Sequence, residues 1–116
     1  MEFKRGDIIL AFLKGQGSVQ QGLRPCIIVG RDELSNSSPC LKVVPTTTKK
    51  LTESKCHIKI TSDDVLDNDE MRESFTLCEQ EQNIDKSQFV GKFCGRVSES
   101  ILNRIDKGLL YTLGLS

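Results

Sequence analysis

Short apolar segments bounded by glycine, proline or other turn-forming residues make up most of this chain, and only its C-terminal part has a helical period. Each segment is short for a helix, and several are rich in the branched side chains that favour strands. They predict strands at residues 8–13, 24–29, 41–47, 56–60, 75–79 and 93–97. Consecutive strands without helical crossovers exclude a doubly wound parallel sheet. The order predicts a mainly β, α+β chain: a small, strongly curved antiparallel β-barrel capped by helices.

Three features modify this pattern of strands. Pro45 cannot donate to a β-ladder, so the third segment is expected to lie at a sheet edge or to end irregularly. Gly95 interrupts the last segment and predicts a bulge or bend there. Residues 14–23 contain three glycines and no hydrophobic period, so they predict a mobile loop between the first two strands.

The C-terminal part predicts one main helix. Ser98 is suited to cap its N-terminus, and Glu99 suits the positive first turn. Gly108 within it lowers helix stability by roughly 1 kcal/mol relative to alanine. A shorter helical turn is expected near residues 85–88. The apolar residues of the main helix recur at steps of three and four positions: Ile101, Leu102, Ile105, Leu109 and Leu113.

The composition is that of one ordinary domain. With 116 residues, 37% of them hydrophobic, the chain is long enough to form a core without a metal or disulfide staple, so we expect one domain over residues 1–116. No apolar run could span a membrane and no secretory signal is visible, which predicts a cytoplasmic protein. The five cysteines include no C-x-x-C motif and no Cys/His cluster. They predict reduced thiols, with neither a metal site nor a cofactor.

The charges are segregated along the chain although they sum to zero. Residues 1–60 carry ten basic and five acidic side chains, residues 61–85 one and nine, and residues 86–116 five and two. A basic surface made by the first and last of these ranges would attract phosphate groups if the acidic segment lies elsewhere. A solvated acidic loop without a partner is the simpler alternative.

Common catalytic motifs are absent from the sequence, which has no nucleotide-binding glycine loop, H-E-x-x-H or G-x-S-x-G. His57, the single histidine, is expected to be an ordinary surface side chain. Polar residues interrupt the strands at Arg24-Pro25 and in the run from Pro45 to Lys50, which has three threonines and two lysines. Guanidinium, hydroxyl and ammonium groups converging on one cleft would suit a phosphate. A salt-bridged arginine and an ordinary threonine turn are the alternative.

Taken in order, these segments resemble the MazF/PemK family of toxin endoribonucleases. The likeness covers nearly the whole chain, from KRGDII and GLRPCIIV through SPCLKVVPTTTKK and HIKI to LCEQEQNIDK and the helix after GRVS. It implies a small SH3-like β-barrel of the MazF type that forms a homodimer. It also implies metal-independent cutting of single-stranded RNA at short motifs, which leaves a cyclic phosphate and a 5′-hydroxyl, and a cognate antitoxin with an acidic tail as partner.

The resemblance also assigns residues, because Arg24 and Thr47 match the family's catalytic positions. RNA supplies its own nucleophile, the 2′-hydroxyl, so the enzyme has to align it and stabilise charge. Arg24 is expected to neutralise charge on the phosphoryl oxygens, and Thr47 to hydrogen-bond the phosphate or the attacking hydroxyl. The remaining expected contacts come from three residues at the site and two in the covering loop: Thr48, Lys49 and Gln80, and Gln20 and Gln21.

Two positions depart from the family pattern. Many members carry a glutamate at the position of Val19 and an arginine at that of Gln82, so the general base stays open and the groove is expected to be less basic. Residues 61–73 are acidic and could repel RNA. A non-catalytic binding module of the same fold, gyrase-poison-like or a degenerate toxin, is therefore the alternative, although Arg24 and Thr47 together favour the nuclease. A proline-rich-peptide adaptor is disfavoured, because the chain has no tryptophan and one tyrosine.

A homodimer is also expected from the leucines near the C-terminus, which exceed what one helix face can bury. The alternative is that they cap the core of a single copy. These residues are Leu109, Leu110, Leu113 and Leu115.

Overall fold

The computed structural model describes residues 1–17, 19–67 and 71–116, and within these ranges eight antiparallel strands form one sheet. The strands are β1 (Asp7–Leu13), β2 (Gly22–Ile28), β3 (Cys40–Thr47), β4 (His57–Ile60), β5 (Val65–Leu66), β6 (Ser74–Leu77), β7 (Gln82–Asp85) and β8 (Phe89–Val97). The helices are α1 (Asp32–Ser37) and α2 (Glu99–Thr112). Single 3-10 turns lie at Ser62–Asp64, Cys78–Gln80 and Lys86–Gln88.

The hydrogen-bonded order of the strands is β4-β6-β3-β2-β1-β8-β5, and β7 also pairs with β3. One edge of β3 contacts β2, while β7 and then β6 occupy successive stretches of its other edge. The mainly β fold with a C-terminal helix is confirmed. Among the described residues, the end strands β4 and β5 do not pair with each other, so the curved sheet is not closed by hydrogen bonds.

The position of Pro45 differs from the expectation of an edge strand, because β3 has partners on both sides. Pairing with β7 ends at Val43 and pairing with β6 begins at Thr46, while Pro45 lies opposite Cys26 of β2. The residue without an N–H therefore lies in the gap between two partner strands, where the missing donor is tolerated.

The bulge expected at Gly95 is confirmed. The register of β8 against β1 shifts between the pairs Ile9–Phe93 and Asp7–Arg96, and Gly95 lies between these two positions of β8. Its φ of 106° is in the region that favours glycine.

Apolar side chains pack on both faces of the central strands, which explains why β1 and β2 have continuous apolar runs in place of an alternating pattern. Neighbouring residues of β1 illustrate this arrangement, since Ile8 belongs to one buried cluster and Ile9 to the other. Residues of α2 complete the first cluster, whereas Phe3 and Phe89 pack in the second. A single layer of strands thus separates two cores.

Helix α2 is confirmed, and its contacts explain its position. The Ser98 hydroxyl accepts the Ile101 N–H at 3.2 Å, as expected of an N-cap. Arg5 forms an ion pair with Asp106 and thereby fastens the helix to the N-terminal segment. At Gly108, a Cβ atom would lie 2.7 Å from the carbonyl oxygen of Lys55, so only glycine allows the helix to approach this segment so closely.

Other local predictions have mixed outcomes. The 3-10 turn Lys86–Gln88 confirms the helical turn expected near residues 85–88. Helix α1 and strands β5 and β7 were not predicted. The expected loop 14–23 includes residue 18, and the acidic segment 61–73 includes residues 68–70, which lie outside the described residues. No helix in the described part of the chain is long and apolar enough to cross a membrane.

Candidate active site

The pairing of β2 with β3 brings the two predicted catalytic residues to neighbouring strand ends. Cys26 lies opposite Pro45 in this antiparallel pair, and the Thr46 hydroxyl donates to the carbonyl oxygen of Pro25 at 2.8 Å. Arg24 and Thr47 each lie two residues beyond the Cys26–Pro45 pair, so continuing the same register would set them opposite each other. Residues opposite each other in an antiparallel pair project their side chains from the same face of the sheet. The β2–β3 pairing therefore brings the chain positions of a guanidinium and a hydroxyl to neighbouring strand ends, from separate parts of the sequence.

Thr47 is held rigidly at this position. It is buried, with 7% of its surface exposed, and its hydroxyl oxygen accepts the backbone N–H of Lys49 at 3.1 Å. This contact orders the turn by which the chain leaves β3. Thr48 and Lys49 are exposed directly beyond it, as substrate-contacting residues would have to be.

The loop between β1 and β2 contacts both sides of the site. The Gln20 N–H donates to the side-chain oxygen of Gln80 at 2.8 Å, and Arg24 Nε donates to the carbonyl oxygen of Gln21 at 3.3 Å. Gln80 belongs to the 3-10 turn that carries the chain from β6 to β7 along one edge of β3. The structure thus connects Gln20 with Gln80 and Gln21 with Arg24.

The side chain of Gln20 has an unusual environment. Its Oε1 atom is buried and has no hydrogen-bond partner among the described residues. A buried acceptor without a partner is unfavourable in the free protein, by roughly 1–3 kcal/mol, and a ligand donor would relieve that cost. This atom is therefore suited to accept a hydrogen bond from a bound molecule.

Two side-chain contacts beside Gln80 were not predicted from the sequence. His57 Nε2 lies 2.6 Å from Glu79 Oε2, and Lys42 Nζ lies 2.9 Å from Glu81 Oε1. Each pair joins residues from different strands or turns, so no local signal could reveal it. The Glu81 carboxylate is thus matched by the Lys42 ammonium, which reduces the repulsion of a polyanion.

The cysteines nearest the site are not poised as nucleophiles. Burial raises the pKa of the Cys26 thiol to about 12. Burial also raises the pKa of the Cys78 thiol to about 11, although a hydrogen bond with Thr76 opposes the shift. Because the thiolate is the reactive form, both groups are inert at neutral pH. In the described ranges, no three His, Cys, Asp or Glu side chains are grouped as metal ligands.

Comparison with known protein families identifies the family of this chain. Residues 4–113 match the family model of PemK-like, MazF-like toxins of type II toxin–antitoxin systems. The chain belongs to this family. The resemblance inferred from the G-x-R-P, P-x-T and E-Q segments is therefore confirmed.

Individual relatives agree with the family match. The chain is 34% identical over 117 residues to the Endoribonuclease MazF of Staphylococcus epidermidis, covering 97% of this chain and 92% of that protein. A solved MazF structure from Deinococcus radiodurans superimposes with a TM-score of 0.78 at 14% identity, covering 98% of both chains. A mycobacterial endoribonuclease solved in complex with its cognate antitoxin gives a TM-score of 0.71 at 20% identity, covering 97% of this chain and 93% of that one. These two structures show that the fold is shared.

Proposed function

We propose that this toxin is a sequence-specific, metal-independent endoribonuclease that cleaves single-stranded RNA, including messenger RNA. The observation that supports the proposal is the β2–β3 pairing, which ends at Cys26 and Pro45, two residues from Arg24 and from Thr47. The identity with an endoribonuclease over most of the chain supports it. The family model, which matches residues 4–113, supports one toxin domain over residues 1–116.

The proposed reaction uses the substrate's own 2′-hydroxyl as nucleophile. Attack on the adjacent phosphorus forms a bond from the 2′-oxygen, whose hydroxyl gives up its proton, and breaks the bond to the 5′-oxygen, which takes up a proton. The products are a 2′,3′-cyclic phosphate and a 5′-hydroxyl. The protein therefore needs to position the phosphate and stabilise the charge that develops on it.

The residues have distinct proposed roles. Arginine keeps its proton in proteins, so Arg24 supplies positive charge and a two-pronged hydrogen-bond donor to the phosphoryl oxygens. Thr47 orients the phosphate or the attacking hydroxyl. The exposed pair Thr48 and Lys49 would contact the neighbouring phosphates or bases, as would Gln80.

The loop residues Gln20 and Gln21 complete the proposed site. Their contacts with Gln80 and Arg24 would hold the loop against the cleft. The buried Gln20 oxygen without a partner among the described residues would accept a hydrogen bond from an RNA hydroxyl or amino group.

The proposed partners are RNA, a second copy of the chain and a cognate antitoxin with an acidic tail. A mycobacterial relative was solved with its antitoxin, and MazE–MazF complexes are known from Deinococcus radiodurans. Since messenger RNA is the proposed substrate, the proposed place of action is the cytoplasm.

The decisive experiment incubates purified protein with single-stranded RNA of mixed sequence in excess chelator and maps the ends produced. We expect cuts at one short motif, with cyclic phosphate on one side and a 5′-hydroxyl on the other. The Arg24→Ala protein, purified in the same way, controls for contaminating nuclease. Binding of RNA without any cuts would favour the alternative function, a degenerate toxin that acts as a binding module.

A further inference from the structure

A cavity with a mainly apolar lining and two basic side chains adjoins the proposed catalytic residues on the opposite face of the β2–β3 pair. Its volume is about 220 Å³, and its walls include Pro25 and Thr48. Pro25 directly follows Arg24, and Thr48 directly follows Thr47. Successive residues of a strand project to opposite faces. The cavity and the position proposed for the scissile phosphate therefore lie on opposite faces of the same strand ends.

The walls of this cavity combine two kinds of surface. Leu10, Pro25 and Met71 form an apolar side, and Leu10 lies directly opposite Pro25 in the β1–β2 pair. Arg72 and Lys92 form a basic side. An apolar wall next to two cations and a hydroxyl suits a nucleotide, whose base is flat and weakly polar and whose phosphate is anionic.

The two cations are available for a ligand. None of the ion pairs formed among the described residues uses Arg72 or Lys92, and both residues are exposed. By contrast, Lys42 and Arg104 at other places on the sheet and helix are paired with glutamates. Two cations beside one cavity, neither of them in an ion pair with another described residue, favour an anionic ligand.

We propose that this cavity is a nucleotide subsite for RNA, in which a base next to the cleaved bond packs against Pro25 and Met71. Arg72 and Lys92 bind its phosphate. The proposal rests on the proposed endoribonuclease function and adds residues that determine which sequence is cut. Since Arg72 comes from the chain segment before β6 and Lys92 from β8, the subsite is made only by the folded sheet.

The test measures binding of a fluorescein-labelled single-stranded RNA that carries the mapped motif, with a 2′-deoxy nucleotide at the cleaved position. This RNA lacks the nucleophile and stays intact. We expect Arg72→Gln and Lys92→Gln each to weaken binding by roughly tenfold and to lower the slope of log affinity against log salt by about 1. Arg31→Gln is the matched control, because Arg31 is exposed near α1 and pairs with Glu33.

Cleavage of the mixed-sequence RNA gives the second readout. The two variants should cut at the same bond while accepting more bases at one neighbouring position, and Arg31→Gln should keep the original motif. If the original protein cuts RNA and both cavity variants retain its affinity, salt slope and motif, the subsite is wrong and the endoribonuclease proposal stands.

Two further outcomes would overturn the nucleotide subsite, and only the first of them would also overturn the endoribonuclease function. If the original protein neither binds nor cuts single-stranded RNA, the proposed function and the subsite both fail. If the two substitutions leave RNA binding unchanged but abolish binding of a labelled peptide of alternating glutamate and leucine, the cavity binds an acidic protein segment and the nucleotide proposal is overturned.

Discussion

At the scale of single residues, Arg24 and Thr47 carry the proposed chemistry, and their replacement should affect catalysis more than folding. We expect Arg24→Ala and Thr47→Ala each to lower the rate of RNA cleavage by about a hundredfold or more, because each removes a preorganised donor from the transition state. The melting temperature should fall by only a few degrees. Single-turnover cleavage and thermal unfolding of the same preparations measure the two effects.

Conservative variants serve as controls for this prediction. Thr47→Ser keeps the hydroxyl that accepts the Lys49 N–H, so it should retain most of the activity. Arg24→Lys keeps the charge and loses the planar fork, so its rate should lie between those of the parent and Arg24→Ala. Parent-like cleavage by both alanine variants would exclude the assigned roles.

The buried thiol of Cys26 predicts a loss of stability in alkaline solution. Its pKa is raised from 9.0 to about 12 in the folded protein. Below pH 9.0 the Cys26 thiol is neutral in both the folded and the unfolded protein, so its ionisation does not lower the free energy of unfolding. As the pH rises from 9.0 towards 12, the unfolded chain ionises first, so the free energy of unfolding decreases. Denaturant titrations at several pH values measure this dependence.

Replacement of Cys26 by alanine should reduce the alkaline decrease, because the difference in ionisation between the two states disappears. Cys40→Ala is the matched control, since Cys40 is only partly buried. Only the difference in pH dependence between the parent and each variant is interpreted. An identical pH dependence for the parent and Cys26→Ala would contradict the prediction.

Part of the candidate site could be predicted from the sequence, and there is a physical reason why the rest could not. Arg24 and Thr47 each interrupt an apolar strand, so their short motifs marked them as candidates. The His57–Glu79 contact depends on how β4 pairs with β6, and no local pattern encodes that register. The cavity beside Arg72 has the same origin, because its walls come from several distant strands.

At the scale of secondary-structure elements, the close approach of α2 to the sheet explains a glycine that propensity alone would disfavour. Alanine at position 108 should gain about 1 kcal/mol of helix propensity. Its Cβ would, however, lie 2.7 Å from the Lys55 carbonyl oxygen and 2.9 Å from Cys78 Sγ. Overpacking of this kind costs about 1–3 kcal/mol, so we expect Gly108→Ala to destabilise the protein on balance.

Chemical denaturation of Gly108→Ala and Asn103→Ala distinguishes propensity from packing. Asn103 is exposed on the same helix, so its replacement by alanine should be neutral or slightly stabilising. A Gly108→Ala protein more stable than the parent would show that α2 can shift away from Lys55 without cost, contrary to the prediction.

The elements that the sequence predicted correctly are those whose burial leaves a strong pattern. β1 and β2 are covered on both faces and read as apolar runs, and α2 buries one face at helical spacing. β7 has the sequence QNID and only one buried side chain, Ile84, so its pairing with β3 leaves almost no trace in the pattern. α1 is six residues of mostly polar sequence that resembles a turn.

At the scale of the whole molecule, two exposed apolar surfaces compete as the contact between copies in the proposed homodimer. The first is the C-terminal surface, where Leu113 and Leu115 are 66% and 68% exposed. The second is on the sheet, where Phe12 and Leu23 lie opposite each other and are each 53% exposed. Exposed apolar surface of this kind is typical of protein contacts.

We expect the C-terminal leucines to form the homodimer contact, since they lie beyond the helix and contribute little to either core. Sedimentation equilibrium should show a dimer for the parent and a shift towards monomer for the double variant Leu113→Ser/Leu115→Ser, with an unchanged melting profile at low concentration. The matched variant Phe12→Ser/Leu23→Ser removes the same number of exposed apolar side chains from the sheet. It should leave the dimer intact, whereas a monomeric sheet variant together with a dimeric C-terminal variant would place the contact on β1 and β2, next to the loop that carries Gln20.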